Sequence, residues 1–337
     1  LRSELGPSIA QMVGLLSVSV QLRNPLQPPS IFCQYYQMSL STVPRRLSSH
    51  WAGLSANSRG ILWLSLGAFL YAIVDVFVKK TGGRFDPLQI SLFRYSIGFI
   101  ILIPSFVKLG SKGLKTDCIK LHIFRMSLAF TAQLGVFYTV IYMPLADATA
   151  FMFSKPLFTT VVAVFMLSEV VNGRRWLATL VGFGGVLLMV RPGSESMDPF
   201  ALIAVGSAAT FAVANVLIRI LSATEPPARI LFYYHIGGIL VFTIPAIWMW
   251  KTPIGVEWLL MAGIGVFTTA GFFCWVRAFG TGEANAVGPA ENLRLIYAAL
   301  FGYFLFSEIP SFWTVIGASI IVASTYYIAR TETRRGS

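Results

Sequence analysis

The segment AFLYAIVDVFVKKTGGRFDPLQISLFRYSIG, residues 68–98, returns without a gap 140 residues later as AATFAVANVLIRILSATEPPARILFYYHIGG, residues 208–238. Six of the 31 positions are identical: Ala68/Ala208, Ala72/Ala212, Val76/Val216, Pro87/Pro227, Ile90/Ile230 and Gly98/Gly238. Asp75/Asn215, Lys79/Arg219 and Phe93/Tyr233 are chemically similar pairs, and Tyr234 and His235 stand where Arg94 and Tyr95 stand in the first copy. A shift of 139 then matches Phe165/Phe304, Ser168/Ser307 and Glu169/Glu308 and sets Lys155 opposite Arg294. Apolar composition alone yields some coincidences. It does not yield matched prolines and polar positions.

Each copy lies in a chain built for lipid. Of 337 residues, 55% are hydrophobic and 12% charged, with a mean hydropathy of +0.70. The charged fraction is about half that of a soluble domain. A helix crossing ~30 Å of hydrocarbon needs about 20 mostly apolar residues. Such runs fall at 60–78, 87–107, 121–141, 146–168, 176–191, 199–221, 228–249, 257–277, 284–306 and 311–329. The expected fold class is an all-α polytopic membrane protein with ten transmembrane helices. Its first repeat occupies 59–193, its second 199–330, and a basic tail 331–337. Five helices per repeat is an odd number, so the second copy enters the membrane from the opposite side. Two inverted five-helix repeats are an architecture of secondary transporters.

Residues 1–58 carry many serines, four arginines and one acid, Glu4. Their apolar stretch around Met12–Val20 is too short to span, and we expect a disordered tail or a start of translation at Met38; an organellar transit peptide is the alternative. The net charge of +12 reads as topology and not as nucleic-acid affinity. Fifteen Lys and Arg lie near the loops on the side of the N-terminus, against Lys79, Lys80, Arg84, Arg191 and Lys251 on the other. Cytoplasmic loops carry that excess, so both termini are expected in the cytoplasm of a plasma-membrane protein, with an organellar membrane as the alternative.

Several function classes drop out. No GxxxxGK[ST] loop is present, so ATP hydrolysis by this chain is not expected. Cys33, Cys118 and Cys274 are too scattered for a metal site, and His50, His122 and His235 stand beside no carboxylate motif. The sequence therefore calls for no cofactor, no metal and no enzymatic activity. A membrane-embedded transferase would need a cluster of such groups at a membrane face.

Ionisable residues within spans are the functional candidates, because charge in hydrocarbon is costly. Lys155 lies ~13 Å into the fourth span and Arg294 ~15 Å into the ninth from the opposite side, at 1.5 Å per residue. Glu291 precedes Arg294 by three residues and shares its helix face. One reading is a central cavity where Lys155 and Arg294 meet a carboxylate-bearing solute and Glu291 carries a proton or meets an amine. The other is an intrahelical Glu291–Arg294 pair with Lys155 bonded to a backbone carbonyl. Asp75 and Arg94 lie in the outer third of the first two spans, where they serve proton coupling or pair across the hairpin. Arg125 is expected to snorkel to the headgroups. Glu169 and Glu308 close the fourth and ninth spans in structural roles. Gly182, Gly184, Gly185 and Gly317 permit close helix contact, and the terminal spans offer a homodimer surface.

Local motifs carry a resemblance. Pro144-Leu-Ala-Asp-Ala-Thr-Ala150, then Lys155-Pro156 and Ser168-Glu169, is similar to the fourth helix of the EamA family of the drug/metabolite transporter superfamily. Arg175-Trp176 through Val181-Gly182-Phe183-Gly184-Gly185-Val186 to Arg191-Pro192-Gly193 resembles its fifth, and Ala284-Asn-Ala286 with Phe306-Ser307-Glu308 repeats the theme. The resemblance covers about 59–330. It implies a transporter working by alternating access on small organic metabolites, with drug efflux as the alternative. Family members carry amino acids, S-adenosylmethionine, riboflavin, other metabolites or drugs, and the fourth and fifth spans lean toward bacterial members that take up vitamins or S-adenosylmethionine. It further implies that Gln133 and Tyr138 of the third span and Trp275 of the eighth line the cavity.

Overall fold

The computed structural model describes residues 54–167, 171–193, 198–283 and 287–336, the last eight through their backbone. Met38 and the rest of the tail to residue 53, Ser168 and Glu169, most of the 193–197 loop, and Ala284–Ala286 lie outside the described residues. The elements are α1 (Ala56–Gly82), α2 (Pro87–Gly113), α3 (Ile119–Tyr142), α4 (Leu145–Met152), α5 (Lys155–Leu167), α6 (Gly173–Val190), α7 (Pro199–Leu221), α8 (Pro227–Trp248), α9 (Val256–Thr281), a 3-10 segment (Gly288–Asn292), α10 (Leu293–Phe306) and α11 (Phe312–Gly336). Side chains start several of them. Ser55, Asp86, Asn172 and Asp198 each accept a hydrogen bond from a first-turn N–H. Pro87 and Pro199 sit in first turns, where a missing N–H costs nothing.

Among the described residues, eight rods are long and apolar enough to cross a membrane: α1, α2, α3, α4 with α5, α6, α7, α8 and α9. The 3-10 segment with α10, and the shorter apolar Phe312–Ile328 part of α11, occupy the places of the ninth and tenth expected spans. The chain is an all-α polytopic membrane protein of two inverted five-helix repeats.

Two of the expected continuous spans are interrupted. The fourth breaks between α4 and α5, where the Phe153 and Ser154 N–H groups turn back to the Ala150 and Phe151 carbonyls at 3.1 and 3.0 Å. The Ser154 hydroxyl also donates to the Phe151 carbonyl at 2.6 Å. Pro156, in the first turn of α5, has no N–H with which to continue α4. In the ninth, Pro289 lies in the 3-10 segment that precedes α10. Both repeat-matched cations stand at these breaks, Lys155 as the first residue of α5 and Arg294 as the second of α10.

The packing repeats as the sequence does. α1 lies on α9 and α3 on α7; α5 lies on α7 and α10 on α1; α2 pairs with α8 and α6 with α11. Exchanging the repeats maps each contact onto another or onto itself. Tyr95 of α2 packs over Gly238 of α8, where a Cβ would fall 2.5 Å from its ring. Reciprocally, His235 of α8 packs over Gly98 of α2, where a Cβ would lie 2.7 Å from its Nε2. The pseudo-two-fold axis therefore runs between α2 and α8. Gly185 of α6 and Gly317 of α11 serve close packing inside one chain: a Cβ on Gly185 would meet the Gly317 carbonyl at 2.8 Å, and one on Gly317 the Gly185 carbonyl at 2.5 Å.

The loops are clasped in the same symmetric way. The α1–α2 loop meets the α8–α9 loop through Arg84, which donates to Glu257 at 2.6 Å and to the Thr252 carbonyl at 3.2 Å. At the opposite end the α2–α3 and α7–α8 loops meet at Glu225. It accepts from the Thr116 hydroxyl at 2.6 Å and from Arg229 at 3.0 Å, while Arg229 also donates to the Gly113 carbonyl.

Candidate functional site

The two interrupted helices bring a charged centre together. Arg294 donates two hydrogen bonds from Nη2 to the Asp75 carboxylate at 2.9 and 3.0 Å and one from Nε at 3.2 Å. The Arg294 guanidinium also lies 5.4 Å from the Tyr71 ring centre, and the Lys155 ammonium 5.7 Å from that of Phe211. Tyr71 and Phe211 are themselves 140 residues apart in matching positions, so each cation sits on the other repeat's aromatic ring.

The symmetry fails at Asp75, and there it has a chemical consequence. Asp75, 4% exposed, neutralises Arg294. The repeat mate of Asp75 is the uncharged Asn215, and among the described residues Lys155 has no hydrogen bond or ion pair through its ammonium. Its charge is felt by Glu291, Arg294 and Asp75 and balanced by no dedicated partner. Glu291, on the 3-10 segment, is exposed and acts electrostatically on Lys155, Arg294 and Tyr71. The centre thus offers a buried ion pair, an uncommitted ammonium, an exposed carboxylate and two aromatic faces.

Three expectations change. Asp75 does not pair with Arg94 across the α1–α2 hairpin. The helices diverge after the turn, α1 packing on α9, α10 and the 3-10 segment and α2 on α8 and α9, so the carboxylate faces Arg294 of the other repeat. For the same reason Glu291 and Arg294 form no intrahelical pair, because the guanidinium is turned to Asp75. Arg125 does not snorkel. It is 7% exposed, its guanidinium stacked 4.6 Å from the Tyr234 ring centre.

Arg94 stacks on Tyr95 at 4.8 Å and lies within hydrogen-bonding reach of Tyr95 and Tyr234. Gln133 is buried on α3 and has no hydrogen bond to the charged centre among the described residues. Tyr138 stacks on Tyr142, which stacks on Phe200 of α7. Trp275 stacks on Phe272 and meets Phe279 at a tilt, both on its own helix, and keeps 40% of its surface exposed. None of these three shares a hydrogen bond or a ring contact with Lys155 or Arg294 among the described residues.

Glu308 does more than close a helix. It pairs with Lys79 of α1 and accepts from the Leu145 N–H at 2.9 Å, while Lys79 also donates to the Met143 carbonyl. One carboxylate therefore ties α1, the α3–α4 turn and the end of α10 together across the repeats. At that end of the bundle α4 packs on α10, whereas α5, beyond the break, packs on α7. Tyr71 was not foreseen, although its repeat mate Phe211 was available as a clue. The Tyr95–Tyr234 contact was not foreseen either.

Inverted repeats that meet at interrupted helices bearing charge define the class of secondary transporters. The chain belongs to the EamA-like transporter family, whose profile matches residues 58–191 and again 199–330. It is 32% identical over 273 residues to an S-adenosylmethionine uptake transporter of Rickettsia prowazekii (strain Madrid E), covering 81% of this chain and 93% of that one. It is 28% identical over 282 residues to a riboflavin transporter of Vibrio cholerae, covering 82% and 95%. A solved structure described as "Crystal structure of protein" superposes with a TM-score of 0.57 at 19% identity over 82% of this chain and 98% of that one, which supports the fold alone. The protein is a multi-pass membrane transporter of small organic solutes.

Proposed function

We propose that the protein takes up S-adenosylmethionine, or a solute with the same amino-acid head and flat aromatic group, across the plasma membrane with both termini in the cytoplasm. The observation that carries this reading is the uncommitted Lys155 ammonium, left over because Asn215 replaces the carboxylate that neutralises Arg294. A cation without a partner near mid-membrane costs about 2.5–3.5 kcal/mol on insertion scales, and a substrate carboxylate relieves that cost. Glu291 suits the ammonium of the same head group, and the Phe211 and Tyr71 rings suit a sulfonium or a flat purine. The names of the Rickettsia relatives support the choice of cargo.

Transport on this reading needs no nucleotide. The Lys79–Glu308 clasp closes one end, and exchange of the two repeats between their equivalent packings opens it while closing the other.

Thermal unfolding of the purified protein tests the cargo, since a ligand that binds only the native state raises its stability by mass action. S-adenosylmethionine should raise the melting temperature in a saturable way, and Lys155→Gln should abolish the shift. A saturable shift with riboflavin and none with S-adenosylmethionine would reject this cargo.

A further inference from the structure

Away from Lys155, two guanidiniums converge where α2, α3 and α8 meet. Arg125 of α3 stacks on the Tyr234 ring and Arg94 of α2 on the Tyr95 ring. The hydroxyls of these two tyrosines are 3.0 Å apart. Tyr234 and His235 each feel the charge of both arginines, so both guanidiniums lie close to the same stretch of α8. Nη1 of Arg94 and both Nε and Nη1 of Arg125 are buried with no hydrogen-bond partner among the described residues. Asp75 is committed to Arg294, and the strongest electrostatic neighbours of both arginines are tyrosines, Tyr71 of the charged centre among those of Arg94.

Two cations beside a pair of hydroxyls, with buried N–H groups left unbonded on both guanidiniums, match the chemistry of an oxyanion. Guanidinium presents its N–H groups in a planar fork that fits the paired oxygens of an oxyanion better than a spherical ion. Phe130, Tyr95, Phe242 and Tyr234 pack around it, which lowers the local polarity and strengthens an ionic contact. The site lies on the pseudo-two-fold axis, where Arg94 and Tyr234 are repeat mates. An anion bound there touches helices of both repeats at once.

We propose that Arg94 and Arg125, with the Tyr95 and Tyr234 hydroxyls, form a second anion site distinct from Lys155 that takes one small oxyanion, a carboxylate or a phosphate.

The test is thermal unfolding of the full-length protein titrated with sodium acetate or sodium phosphate, against sodium chloride at equal ionic strength. The parent and Lys155→Gln should both show a saturable upward shift with an oxyanion. Arg94→Gln and Arg125→Gln should lose it. Should Arg125→Gln fail to fold, Arg125→Lys keeps the charge without the fork and Tyr234→Phe keeps the ring without the hydroxyl, and each should weaken the anion at least tenfold. No saturable shift in the parent, a shift that survives in both arginine variants, or a shift lost in Lys155→Gln alone would overturn the proposal. Adding acetate during S-adenosylmethionine titration separates the sources. Independence identifies a free ion at a site apart from the carboxylate that Lys155 meets, whereas competition would place the cargo's single carboxylate at the arginines and overturn a distinct second site. Because the anion is read without cargo, failure of the S-adenosylmethionine reading leaves this result standing.

Discussion

Replacing Asp75 with Asn gives the first repeat the residue that the second repeat has at Asn215, and removes the only acid bonded to Arg294 among the described residues. The side chains are nearly isosteric, so packing on α1 is kept and the change is one of charge. Breaking a buried pair by removing one partner costs about 3–5 kcal/mol, because the other charge stays behind unpaired. The Arg294 side chain is 21% exposed, which allows some solvation and favours the lower end. We expect Asp75→Asn to destabilise the protein by about 3 kcal/mol, roughly 100-fold in the folded-to-unfolded ratio. Arg294→Gln should cost less, since the stranded carboxyl can take a proton. The double variant should recover much of the loss, because two neutral amides can bond one another. Denaturant unfolding in detergent micelles of the parent, both singles and the double completes the cycle. Effects that add to within about 0.5 kcal/mol would refute the pair as an energetic link between the repeats.

Other outcomes follow from the same geometry. Gly185→Ala and Gly317→Ala each drive a methyl into a facing carbonyl and should lower stability by about 1–3 kcal/mol in thermal unfolding. Gly184→Ala, with nothing within 4 Å, should be neutral or slightly stabilising. At the α2–α3 and α7–α8 clasp, burial pushes the Glu225 carboxyl up, but the Thr116 hydroxyl and Arg229 outweigh it and hold the group below its usual range. A carboxyl depressed on folding stabilises above its unfolded value of about 4.3 and loses that contribution as pH falls through the lower folded value. Stability measured from pH 6 to pH 3 should therefore fall less steeply in Glu225→Gln than in the parent. For topology, a cysteine introduced at Ser337 should resist an impermeant reagent in intact cells, and one at Ser194 should react.

The sequence carried the fold because the features that specify it are linear. Apolar runs count spans, and the Pro87/Pro227 and Gly98/Gly238 matches expose the repeat, whose odd helix number then fixes the inversion. The same match marks Lys155 and Arg294 in the sequence alone. What it missed was partner choice. Asp75 sits 19 residues from Arg94 and 219 from Arg294, and separation along the chain favoured the nearer one; only the divergence of α1 and α2 selects the farther. Arg125 looked like a headgroup anchor by its place near a helix start, because depth along a helix says nothing about which way the side chain turns. Its partner, Tyr234, lies on a helix more than 100 residues away. The interruption at Ser154 was half visible in Pro156, although a proline within an apolar run also fits a mere kink.

Counterflow in proteoliposomes without nucleotide puts the account to its most direct test. Vesicles loaded with unlabelled S-adenosylmethionine and diluted into the labelled compound should accumulate label transiently, and vesicles carrying Lys155→Gln should lose at least tenfold of that rate while Lys115→Ala, in a loop, retains it. Counterflow by Lys155→Gln at the parental rate, or a strict need for ATP in the parent, would contradict a site built on the uncommitted ammonium.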